Sequence, residues 1–158
     1  MISENDDVLQ ETDEQEDMTK NLYLCFHSGD EEYAVEVTHV KEIVKIKPIT
    51  VVPNTPDFVK GIINLRGDIV PVIDIRARFM KPEIQYDEDI TCIVILQDEV
   101  YNIGLIVDKV SGVLKIESED ISPPPSAKLS YANMFVKSIA KTNDGLKLLL
   151  DLEKVVGE

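Results

Sequence analysis

The feature that most constrains this chain is that its two halves repeat each other. Val40-Lys41-Glu42-Ile43-Val44-Lys45-Ile46 aligns with Val110-Ser111-Gly112-Val113-Leu114-Lys115-Ile116 at an offset of 70. Phe58-Val59-Lys60-Gly61-Ile62 aligns with Phe135-Val136-Lys137-Ser138-Ile139 at an offset of 77, and that match runs without a gap to Asp74 against Asp151. Ile69, Val72, Ile73 and Ile75 then stand opposite Leu146, Leu149, Leu150 and Leu152. Two segments in the same order, with offsets that differ only by loop length, predict two copies of one small unit, residues 22–80 and 91–156.

Each copy reads as short strands between turn signals. Leu22–Phe26 and Glu32–Val37 flank a turn at Ser28-Gly29-Asp30. Val37, Val40 and Val44 are spaced for a turn of helix before Ile43–Ile46 extends again. Gly61–Leu65 and Ile69–Ile75 flank Arg66-Gly67-Asp68, where glycine supplies the positive φ of a tight hairpin. Pro71 has no N–H to give a ladder, which puts it at an edge, at a bulge or facing away from a partner. In the second copy, Thr91–Leu96, Val100–Val107, Phe135–Lys141 and Leu146–Leu152 repeat the pattern, with turns at Gln97-Asp98-Glu99 and Asn143-Asp144-Gly145. Many short strands with regular turns predict an all-β barrel or sandwich.

Charge is unevenly spread. The 158 residues carry a net charge of −14, but residues 1–19 hold eight acids and no base. That segment cannot bury enough apolar surface to offset its ordering entropy, so residues 1–20 are expected to be a disordered acidic tail ahead of a folded domain over 21–158. An acidic chain is repelled by phosphate backbones and anionic lipid, which argues against nucleic-acid partners. No basic-then-apolar leader and no apolar run of membrane length are present, so a cytoplasmic protein without direct membrane insertion is expected.

The residues offer little for catalysis. His27 and His39 stand in no metal-ligand spacing, and neither a nucleophile elbow nor a phosphate-binding glycine loop occurs. Cys25 and Cys92 lie inside apolar runs, where a free thiol is ordinarily a small core residue. Asp74 and Asp151 form a matched pair of carboxylates at strand ends. Their equivalence under the repeat favours capping of the departing chain over acid–base work. A small enzyme using Cys92 or Asp74 and Asp151 is the alternative; no catalytic residue, metal or cofactor is assigned. Arg66-Gly67-Asp68 spells an adhesion tripeptide, but a hairpin tip accounts for it.

The stretch from Pro53 to Arg76, with Asn64-Leu65-Arg66-Gly67 followed by Ile69-Val70-Pro71-Val72-Ile73-Asp74, resembles the signature block of the CheW family, the coupling proteins of bacterial and archaeal chemotaxis arrays. The resemblance continues through Gly29–Tyr33, Val40–Ile43, Gly104–Leu114 and Leu149–Lys154. It implies two intertwined five-stranded antiparallel β-barrels with a few short helical turns. It also implies a non-catalytic adaptor, without cofactors, between the cytoplasmic tips of methyl-accepting receptors and the regulatory domain of a CheA-type histidine kinase, recruited to membrane-associated receptor arrays. A coupling module for another output, such as pilus motility, is the alternative. Matched positions in the receptor-contacting motifs are Val40, Ile43, Gly104, Val110, Val113 and Leu114, with Arg66 at the hairpin tip implicated in coupling. Val40 and Val110 read equally well as core residues. Glu42 matches the kinase-docking region, and a glutamate on an edge strand also discourages unwanted pairing.

Overall fold

The computed structural model describes residues 19–124 and 134–157, so the acidic tail lies outside the described residues except for Thr19 and Lys20. The chain is all-β. Its strands are β1 (Leu22–Ser28), β2 (Glu31–Glu36), β3 (Val40–Lys45), β4 (Val59–Leu65), β5 (Asp68–Asp74), β6 (Cys92–Gln97), β7 (Asn102–Val107), β8 (Lys109–Lys115), β9 (Ile121–Ser122), β10 (Val136–Thr142) and β11 (Gly145–Leu150). Two short helices follow strands, α1 (Ile75–Arg78) and α2 (Leu152–Val156), and a 3-10 turn at Val37–His39 precedes β3.

The strands form two sheets, in the orders β8-β1-β2-β11-β10-β9 and β3-β6-β7-β5-β4. The first has six strands rather than five because the two-residue β9 pairs with β10 through Ile139↔Ser122 and Ala140↔Ile121. Neither sheet belongs to one half of the sequence. The β1–β2 hairpin of the first half sits between β8 and β11 of the second, and β6–β7 sits between β3 and β5. The halves are thereby intertwined, through antiparallel junctions β1–β8 and β3–β6 and parallel junctions β2–β11 and β5–β7.

The repeat is carried down to single residues. Bulges fall at Lys41 and Ser111, related by the offset of 70, and at Lys60 and Lys137, related by the offset of 77. The parallel pairs Val72↔Gly104 and Leu149↔Ala34 are related by the same two offsets. Even the isolated bridge Thr50↔Ile62, which ties the chain after β3 to β4, has its counterpart in Ser122↔Ile139. Bulges increase local twist and bend a strand, and here they let both sheets curl so that their outer strands approach.

Side-chain alternation then builds three cores. Leu24 and Phe26 of β1, Tyr33 and Val35 of β2, Val94 and Leu96 of β6, and Leu105 and Val107 of β7 meet in a central cluster between the sheets. The alternate residues fill the inner face of each sheet separately: Ile93, Ile95, Val70 and Val72 in one, Tyr23, Cys25, Ala34 and Leu149 in the other. Burial on both faces explains why β6 reads as an unbroken apolar run rather than an alternating one.

Three local readings meet the structure with differences. The strands expected to reach Ile75 and Leu152 stop one and two residues earlier, at Asp74 and Leu150, because Asp74 accepts a hydrogen bond from the Arg76 amide (2.9 Å) and Asp151 one from the Lys154 amide (3.4 Å), starting α1 and α2. The helical spacing at Val37 gives only a 3-10 turn, after which β3 already begins at Val40. Pro71 is exposed and lies one residue before the β5–β7 pairing starts at Val72, so it does not interrupt that junction.

Where α1 meets α2, Arg78 is only 8% exposed. Its guanidinium donates to the backbone carbonyls of Val155 (2.8 Å), Lys154 (2.8 Å) and Gly157. It also lies 4.0 Å from the ring centroid of Phe58 and 4.7 Å from that of Phe135, the two phenylalanines that the repeat makes equivalent. This suits a cation at a helix C-terminus.

Candidate functional site

The hairpin tip between β4 and β5 is a two-residue turn, with Leu65 paired to Asp68 and with Arg66 and Gly67 both at positive φ, +52° and +92°. That is the backbone of a primed turn, whose twist matches the strands it joins. The Asn64 Oδ1 accepts a hydrogen bond from the Gly67 amide at 2.9 Å and fixes the tip. From there the Arg66 side chain reaches Glu42 on β3 and forms an ion pair with it. The hydrogen bond from Arg66 holds the Glu42 carboxyl below its ordinary range and, in return, raises the already high pKa of the arginine. Lys47 adds a second link, donating to the Asn64 carbonyl at 2.7 Å. The two outer strands of this sheet, β3 and β4, are thus fastened by side chains and the Thr50↔Ile62 bridge.

The residues expected to contact partners fall into three groups. Val40 and Val110 are half-buried and both pack on the central core, so each has a structural task. Ile43 (42% exposed) and Val113 (57% exposed) are equivalent under the repeat and project from the edge strands β3 and β8. Leu114 is half-buried over the Tyr23–Cys25–Leu149 core. Gly104 belongs to neither surface. It is buried in β7, and a Cβ there would lie 2.6 Å from Ile93 Cγ2 and 2.9 Å from Val72 Cγ1. Its position answers to packing rather than to contact with a partner.

Glu42 and Arg66, which the sequence assigns to different partners, form one polar unit. The matching place on the other sheet lacks it, because Gly112 and Asn143 occupy the equivalent positions. A cavity of about 100 Å³ opens there beside Val113 and Leu114, with Lys147 and Glu32 at its base as an ion pair of 3.0 Å. The two ends of the molecule are therefore similar in backbone and different in surface chemistry.

Sequence reading missed one polar cluster. Arg76 binds Asp108 through two parallel hydrogen bonds (Nε–Oδ1 2.9 Å, Nη2–Oδ2 2.7 Å), and Asp108 also accepts the Gly29 amide at 2.8 Å. Burial works to raise the Asp108 pKa, but these bonds leave it below the ordinary aspartate value. No sequence pattern could reveal this, since the three residues come from a helix and two connections far apart in the chain.

Among the described residues the groups considered for catalysis are not brought together into one site. Asp74 and Asp151 are helix caps, and Asp74 is further occupied by the Tyr86 hydroxyl at 2.6 Å. Burial pushes the Cys25 thiol up to about 11. Among the described residues no three His, Cys, Asp or Glu side chains are grouped to hold a metal, and no helix is long and apolar enough to cross a membrane.

Comparison with known proteins decides the family. The CheW-like domain family matches residues 22–158. The chain belongs to the CheW-like family. It is 37% identical over 134 residues to the chemotaxis protein CheW of Klebsiella aerogenes, covering 85% of this chain and 80% of that protein. The crystal structure of the scaffolding protein TtCheW from Thermoanaerobacter tengcongensis superposes with a TM-score of 0.79 at 36% identity, covering 87% of this chain and 93% of that one. Similarity extends at 31% identity over 103 residues to Protein FrzA of Myxococcus xanthus, covering 65% and 64% of the two chains. The fold found here is that of the CheW scaffold, and the chain is a chemotaxis scaffold of this family.

Proposed function

We propose that this chain is a non-catalytic adaptor that couples methyl-accepting receptors to a CheA-type histidine kinase in cytoplasmic chemosensory arrays. The observation that carries this reading is the Arg66–Glu42 unit: the tip bearing Asn64-Leu65-Arg66-Gly67 is folded onto an exposed edge strand in a chain of the CheW-like family. An edge strand offers unpaired backbone groups and a row of side chains to a partner. Glu42 is the kinase contact. Val40, Ile43, Arg66, Val110, Val113 and Leu114 supply the receptor contacts, with the exposed Ile43 and Val113 as the apolar anchors. Gly104 is left to packing. The similarity to FrzA, which does not carry the CheW name, supports a second reading in which the same coupling serves another motility output, such as pili.

The test is co-purification of the full chain with a kinase regulatory domain and a receptor cytoplasmic fragment. A ternary complex is expected, with the kinase contact weakened by Glu42→Lys and the receptor contact alone weakened by Val113→Asp. Binding to neither partner would refute the reading.

A further inference from the structure

We propose that this chain can trade halves with a second copy of itself, hinging at the acidic turn Asp87–Ile90, to form a closed two-fold dimer.

The fold is already an exchange within one chain. Each half completes the other's sheet, through β1–β8 and β2–β11 on one side and β3–β6 and β5–β7 on the other. The polar fastenings cross between halves as well: Arg76 to Asp108, Arg78 to the carbonyls of α2, Lys137 to Glu36 and Lys147 to Glu32. All of these contacts are unchanged if the second half comes from another molecule. Only the connection between the halves tells the two arrangements apart.

That connection has a part anchored to the first half and a turn held only by its own residues. Lys81 donates to the Ser28 carbonyl at 2.9 Å, Glu83 pairs with Lys60 and Tyr86 binds Asp74, so residues up to 86 are held by the first half. The reversal into β6 is then made by Asp87-Glu88-Asp89-Ile90, a local turn closed by the Ile90 and Thr91 amides on the Asp87 carbonyl (3.1 and 2.9 Å). These four residues are exposed and three are adjacent carboxylates, whose repulsion favours an extended hinge. Within the turn the Asp87 amide also donates to Thr91 Oγ1 and the Asp89 amide to Asp87 Oδ1, both at 2.9 Å, so opening it breaks bonds that are all local to residues 87–91 and leaves the contacts between the halves intact. A covalent linker holds its own half at an effective concentration of roughly millimolar, so single chains dominate in dilute solution and exchange requires high concentration or a shortened hinge. The dimer presents two complete β3 edges and two complete β8 edges, a bivalent form of the surfaces described above.

Deleting Glu88 and Asp89 removes the slack needed for reversal within one chain. Light scattering is expected to show twice the 17.8 kDa chain mass. Lys45 stands opposite Cys92 across the β3–β6 junction, so Lys45→Cys reports which chain supplies β6 by a disulfide of ordinary cross-strand reach. After oxidation, exchanged dimers run as covalent dimers on a non-reducing denaturing gel, and side-by-side dimers run as single chains. The same Lys45→Cys reporter in the undeleted chain, refolded from denaturant at high and low concentration, covers the case in which the deletion does not fold. Covalent dimers that appear in either experiment support the exchange. Single chains throughout, or dimers whose disulfides stay within each chain, overturn it.

Discussion

Replacing Gly104 with alanine separates the two readings of that position. In the sheet that holds β7, the added methyl would lie 2.6 Å from Ile93 Cγ2, 2.9 Å from Val72 Cγ1 and 3.4 Å from Ile95 Cδ1. Carbon atoms settle at about 3.5–4.0 Å, so two neighbours must move by roughly 1 Å in a close-packed interior. Overpacking of this kind costs about 1–3 kcal/mol. The repeat provides an internal control, because Ala34 holds the equivalent place on β2, where Tyr23, Cys25 and Leu149 stand in for Ile93, Ile95 and Val72. The methyl is accommodated there among a different set of neighbours. Urea unfolding of Gly104→Ala should therefore show a midpoint shift at unchanged slope, while receptor affinity per folded molecule stays as in the parent. Combining it with Ile93→Ala, which removes the closest atom, should give a double variant at least 0.5 kcal/mol, as an order of magnitude, more stable than the sum of the single effects predicts. An unshifted midpoint, additive single effects, or a receptor defect in a fully stable Gly104→Ala protein would each refute the packing argument.

Arg66→Ala and Glu42→Ala should each melt within about 0.5 kcal/mol of the parent, since exposed pairs add little stability. In a kinase-binding titration their effects should be less than additive, because they act as one unit; additive losses would separate them. Arg78→Met should cost about 2–4 kcal/mol in urea unfolding, because it orphans carbonyls at the end of α2; a loss below that range would mean the carbonyls find other donors. Cys25, with its folded pKa raised to about 11 by burial, keeps its proton in the folded state over a range where an unfolded thiol has lost it. Its contribution is complete below an unfolded pKa of about 8.5 and is lost as pH rises toward 11. Cys25→Ala should flatten that alkaline loss in a pH series of melts, and iodoacetamide should label the half-buried Cys92 before Cys25 in native protein.

Much of the fold could be read locally. The Arg66-Gly67 tip, the turn at Asn143-Asp144 and the caps at Asp74 and Asp151 each depend on a few adjacent residues, and the repeat is a property of the sequence itself. The helices were not legible, because four or five residues such as Ile75–Arg78 are too short to show a helical period and their leading apolar residue prolongs a strand pattern. The placement of β1–β2 in the sheet of the other half was not legible either. It rests on pairs such as Leu24↔Val113, which alternation alone cannot match to one partner rather than another. The candidate site suffered in the same way. Ile43 and Val113 are exposed as surface contacts require, whereas Gly104 showed only a glycine in a strand, and its crowding depends on Ile93 and Val72 from two other strands.

Arg78 gives the molecule a fastening that acid cannot undo. Among the described residues it meets no carboxylate; carbonyls and aromatic rings hold it, and none of these gains a proton as a solution is acidified. Arg76 is the opposite case, since its partner is an anion. Asp108 has a depressed pKa, so its contribution is present above the ordinary aspartate range and disappears as pH falls through the depressed value. Once pH has fallen through that depressed value the corner at Gly29 and Asp108 is expected to loosen, while α2 remains bolted to α1. A chain so rich in carboxylates thus keeps one joint between its sheets on chemistry that is indifferent to their charge.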